Sequence, residues 1–144
     1  MNITKEEFIV KFKDFVKDHP DLNKLITEEF TPTMIEFAIE EVLDDYNNTP
    51  PIFAEKVTFD NFPSFRLMFL GTIIFLLEAQ QLWYSRNRLP YVDGDITIDP
   101  YNKLGEYASL LNMFVQQYIS LRNSFKKTKN MENFYGVYKP IFTP

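Results

Sequence analysis

The stretch Leu67–Leu77 constrains this chain more than any other: eleven residues, LMFLGTIIFLL, carry no charge and are bracketed by Arg66 and Glu78. A helix that is apolar nearly all round has no face to give to water and must be enclosed by other elements. Eleven residues fall well short of the roughly 20 needed to cross a bilayer. The run therefore reads as a buried core helix. Gly71 lies inside it, where glycine costs about 1 kcal/mol relative to alanine; a close crossing by a neighbouring helix would explain its presence.

The flanking sequence supplies the covering helices. Thr4 and Glu7 form a capping-box signature, followed by Phe8, Phe12, Phe15 and Val16 at helical spacing. Asp18-His19-Pro20 ends that helix, and a short helical turn can follow over Asp21–Ile26. A second helix opens at Thr31-Pro32, a cap followed by a residue whose missing amide is harmless at the first helical position. Ile35, Ala38, Ile39, Val42, Leu43 and Tyr46 make its apolar stripe, and Glu36, Glu40, Glu41, Asp44 and Asp45 lie outside it. Acids at its C-terminal end oppose the helix dipole, a cost that either a partner cation offsets or nothing does. Ile52–Asp60 reads as an extended or irregular connector, and Asn61 with Pro63 as the start of the third helix, which runs to about Arg86.

Asp93-Gly94 between two β-prone stretches is a hairpin signal. Asp99-Pro100 then opens the longest helix, to about Lys127 or Asn130. Its positions Leu104, Tyr107, Leu111, Phe114, Tyr118, Leu121 and Phe125 step by three and four, a three-heptad seam. Such a seam serves a dimer or a bundle within one chain, and the second reading is favoured. The predicted fold is mainly α: a helical bundle of about four helices over 1–130, a short β-hairpin or ordered loop at 87–99, and an extended aromatic C-terminal arm over 131–144.

With 144 residues, fifteen Phe and eight Tyr, one domain can bury a sizeable core. The absence of cysteine excludes disulfides, thiolate nucleophiles and cysteine zinc sites. Met1–Lys17 carries seven charged side chains and lacks the apolar core of a signal peptide. Residues 1–60 hold 14 acidic and 6 basic side chains, whereas 61–144 hold 6 acidic and 9 basic. These complementary halves could steer each other together, or steer successive copies. A chain of net charge −5 lacks the basic stripe that nucleic-acid binding requires.

No catalytic constellation emerges. His19, the one histidine, reads as a surface helix terminator. Asp93, Asp95 and Asp99 do not fit an EF-hand, which needs acids at alternate positions before its glycine and a glutamate at the twelfth place. Glu36 and Glu40 share a face, but no Glu-x-x-His motif accompanies them as a diiron bundle site would demand. No phosphate loop or nucleophile elbow occurs. The expectation is a protein that binds other proteins, with no enzymatic activity, cofactor or metal. The residues that most need a partner are Phe134, Tyr135, Val137, Tyr138, Ile141 and Phe142, which must dock on their own helices or on another subunit.

The Thr-Pro-started helix ending in Asp45-Tyr46-Asn47-Asn48-Thr49-Pro50-Pro51, the apolar central helix, and the loop Asn87-Arg88-Leu89-Pro90-Tyr91-Val92-Asp93-Gly94-Asp95 together resemble the small helical connector, or adaptor, proteins of tailed bacteriophages. The resemblance is one of layout and spans roughly Thr31–Asn130; the helical segment before Thr31 departs from it. It implies a virion structural protein, assembled in the host cytoplasm, that forms a homo-oligomeric ring in the neck and contacts the portal and tail components, without a membrane. Loop residues Leu89, Tyr91, Val92, Asp93 and Asp95 would then join the aromatic arm as interaction sites. The alternative is a small helical regulator or inhibitor that binds one protein partner through its acidic face.

Overall fold

A computed structural model describes residues 3–19, 21–22, 29–86, 91–93, 96–98 and 104–135, with backbone only at Tyr84, 91–93, 96–98, 104–107 and Tyr135. Four helices appear in the expected order: α1 (Lys5–Val16), α2 (Pro32–Asn48), α3 (Phe65–Arg86) and α4 (Leu104–Tyr135). Between α3 and α4, β1 (Tyr91–Asp93) and β2 (Ile96–Ile98) pair antiparallel, with Val92 opposite Thr97.

The helix starts follow side-chain chemistry. Thr4 Oγ1 accepts the Glu7 amide at 3.2 Å, and Thr31 Oγ1 accepts the Met34 amide at 3.3 Å, each satisfying a donor that the first turn leaves unpaired. The carboxylate engaged at the first cap belongs to Glu6: a backbone amide, and then the Thr4 hydroxyl, hold it below the usual range. Ser64, not Asn61, heads α3, because its Oγ and carbonyl accept the Leu67 and Met68 amides. Asn61 instead turns back to accept the Thr58 amide at 2.6 Å. α1 closes at Lys17, whose φ of 60° is left-handed.

By length and hydropathy alone Phe65–Trp83 could cross a membrane. Here the continuous run Leu67–Ile74 is buried, as are Leu76 and Leu77, beneath Phe8 and Phe12 of α1, the α2 stripe Ile35, Ala38, Ile39, Val42 and Tyr46, and Tyr118 of α4. The crossing expected at Gly71 is present. A Cβ built there would lie 2.5 Å from Val42 Cγ2 and 3.0 Å from Tyr118 Cε2, so only glycine lets α2 and α4 approach α3 this closely. The seam of α4 faces inward, with Leu111, Phe114, Leu121 and Phe125 packed against the core and Tyr118 buried.

Two local expectations change, and a third, the irregular connector, holds but gains a role. The connector between α2 and α3 is a piece of core: Val57, Phe59 and Phe62 are buried, and Asn47 pins it by exchanging hydrogen bonds with both the amide and the carbonyl of Val57. Phe15 is 63% exposed, resting edge-on against Phe69 at 4.7 Å rather than entering the core. α4 continues to Tyr135, past the Lys127–Asn130 limit and into the segment read as an extended arm, because Met131–Tyr135 contains no helix breaker and Gly136 is the first one available.

Candidate protein-interaction surfaces

Where the acids end α2, α4 brings the cations. Asp45 accepts hydrogen bonds from the Tyr118 hydroxyl at 2.7 Å and from Arg122 Nη1 at 2.6 Å, and the guanidinium lies 5.4 Å from the Tyr118 ring centre. Lys126, 1% exposed, donates its ammonium to the carbonyls of Thr49 and Pro51 between the rings of Tyr46 and Phe53. The unpaired carbonyls at the end of α2 thus meet a cation supplied by a distant helix. Burial, then neighbouring Arg122, lowers the Lys126 pKa. Burial, then the hydrogen bond to Asp45, raises that of Tyr118. Arg122 Nε is buried with no hydrogen-bond partner among the described residues. The network ties the acidic end of α2 to the basic turns of α4.

The outer surface is different. α2 and α3 leave a groove of about 550 Å³ lined by Met34, Phe37, Ala38 and Glu41 from one helix and Phe75 and Ala79 from the other. Phe37 is 63% exposed. The acidic residues Glu36 and Glu40 lie exposed on the same helix. A second groove, about 570 Å³, runs between α3 and α4 and is lined by Glu78, Gln81, Leu82, Ser85 and Ala108. Towards the end of α4, Met131 and Phe134 are exposed by 47% and 69%, one to two turns beyond exposed Lys127.

Of the interaction residues expected from sequence, Phe134 stands exposed on α4. Tyr135 is the last residue of that helix, and Tyr91, Val92 and Asp93 form β1 as backbone. Leu89, Asp95, Val137, Tyr138, Ile141 and Phe142 lie outside the described residues. Met34 and Phe37 were not among the expected sites, although Phe37 falls off the buried stripe of α2 and was visible on that ground. His19 Nε2 sits 3.0 Å from Asp14 Oδ1 at the surface. Asp18 is buried and accepts the amides of Glu29 and Phe30 at 2.6 and 2.7 Å, tying the exit of α1 to the entry of α2. Among the described residues no three acidic or histidine side chains gather as a metal site would require.

What the geometry offers, then, is a helical scaffold with an apolar groove and an apolar, basic helix end. Comparison with known protein families, curated proteins and solved structures finds no match for the chain.

Proposed function

We propose that the chain is an assembly protein: a subunit that associates with copies of itself and with other structural proteins, in the manner of a neck ring between the portal and tail of a tailed phage. The observation that carries the reading is that, among the large apolar side chains exposed over the described surface, Met34 and Phe37 line one groove and Met131 and Phe134 sit together towards the end of α4. Apolar surface gathered in patches marks contact with other proteins more often than chance exposure does. The layout over Thr31–Asn130 supports the phage setting.

The test is the size of the full chain in solution, by light scattering and negative-stain microscopy. Discrete rings support the reading, and a monomer at every accessible concentration overturns it. Charge reversal along α2 tests the regulator alternative, which the exposed Glu36, Glu40 and Asp44 favour. Asp45 must stay out of that variant because Arg122 and Tyr118 depend on it. Loss of binding to a captured partner, with the chain monomeric throughout, would favour the alternative.

A further inference from the structure

We infer that the end of α4 from one copy, through Lys127, Met131 and Phe134, seats in the α2/α3 groove of a second copy. The inference rests on the self-assembly reading above and names the surfaces that would carry it.

Length, chemistry and sign agree. Lys127, Met131 and Phe134 are spaced i, i+4, i+7, so they share one face of α4 and span two turns, about 10.5 Å. The α2 wall of the groove, from Met34 through Phe37 and Ala38 to Glu41, has the same i, i+3, i+4, i+7 spacing and the same length of about 10.5 Å. An apolar helix face laid into a groove by such anchors is a common mode of recognition. The groove is apolar at Met34 and Phe37 and acidic at Glu41; the helix end is apolar at Phe134 and basic at Lys127. Matching both ends at once sets the incoming α4 antiparallel to the receiving α2, with Lys127 against Glu41 and Phe134 against Met34 and Phe37. Complementary charge fixes such a register more than it adds affinity.

The contact cannot form within one chain. Asp45 meets Tyr118 and Arg122, and Thr49 meets Lys126, so α2 and α4 run in the same direction and are level where α2 ends. From there Phe134 lies about 12 Å further along α4 and Phe37 about 18 Å back along α2. Roughly 30 Å of rigid helix separates them. Only another copy can bring the two together.

Sedimentation velocity on the full chain, with each variant's helical circular dichroism and melting checked first, tests this. Phe37→Glu spoils the groove and Phe134→Ser spoils the helix end; both positions are largely exposed, so neither change opens the core. Each variant alone is expected to raise the self-dissociation constant about thirtyfold or more, the loss of a central anchor. Mixed together, they are expected to form a one-to-one dimer and nothing larger, because one intact groove then meets one intact helix end. If either variant melts early, the charge exchange serves instead: Glu41→Lys and Lys127→Glu each weaken association, and the two combined in one chain restore it. Wild-type association that survives Phe37→Glu or Phe134→Ser, or a mixture that stays monomeric, overturns the inference and leaves the assembly reading standing. A wild-type chain that never associates removes both.

Discussion

Two corners of this molecule hold helices together by opposite means. Where α1 meets α3, Phe8, Phe12, Phe15, Phe59, Phe65 and Phe69 interlock, with neighbouring ring centres 4.7–6.4 Å apart; apolar burial supplies the cohesion and many geometries would satisfy it. Where α2 meets α4, a carboxylate accepts from a phenol and a guanidinium, and an ammonium donates to backbone carbonyls, at fixed hydrogen-bonding distances. Such polar contacts add little net stability, but a misplaced partner leaves a buried group unsatisfied. The aromatic corner supplies adhesion, and the polar corner supplies register.

The largest expected effect lies on the aromatic side. Phe12 is fully buried, with its ring 5.2 Å from that of Phe69, and Phe12→Ala should cost about 3–5 kcal/mol in denaturant unfolding. On the polar side Asp45→Asn should cost less, about 1.5–3 kcal/mol, since it strips a charged acceptor from Tyr118 and Arg122. A loss at Asp45 as large as that at Phe12 would mean that the polar corner carries adhesion as well.

The smallest effect is a matter of pH. Tyr118 has a raised pKa, so its contribution is fully present below the ordinary tyrosine value of 10.0. Above that value the unfolded chain releases the proton while the folded chain keeps it, so stability falls with rising pH, by at most about 1.4 kcal/mol per pH unit. Lys126 works with the opposite sign: its pKa is lowered by burial, so the cost of its charge fades as pH approaches 10.5. Tyr118→Phe removes the first effect and leaves the second. Its melting temperature should therefore fall less steeply than that of the wild type above pH ~10; identical slopes would contradict the assignment.

Much of this was legible along the chain because it is local. Thr4, Thr31 and Pro32 announced two helix starts, the three-and-four spacing of Ile35 to Tyr46 gave the buried face of α2, and Gly71 inside an apolar run marked the crossing. The hairpin followed from Asp93-Gly94. What escaped depends on where segments meet in space. Arg122 and Lys126 lie near the end of their own helix in the sequence, and nothing local shows that they serve the end of α2. The connector is irregular, as its sequence suggests, but the burial of Val57, Phe59 and Phe62 did not show because they have no regular period. Of the surfaces, the exposed Phe134 on α4 could be anticipated; the groove could not, because Phe75 and Ala79 come from a helix whose uniform apolarity hides which residues are left uncovered.

The Lys126 cap has a consequence for how the chain reaches this structure. α2 has no basic residue in its last turn, and the donor that completes it arrives from 77 positions away. The last turn closes locally through the Thr49 amide and the Asp45 carbonyl, but the carbonyl of Thr49 and the acidic end await a contact of long sequence separation, the slow kind to form. α2 and α4 are thereby coupled in one cooperative step: a chain interrupted before residue 126 would keep the aromatic corner's sequence and still leave the second helix frayed at its acidic end.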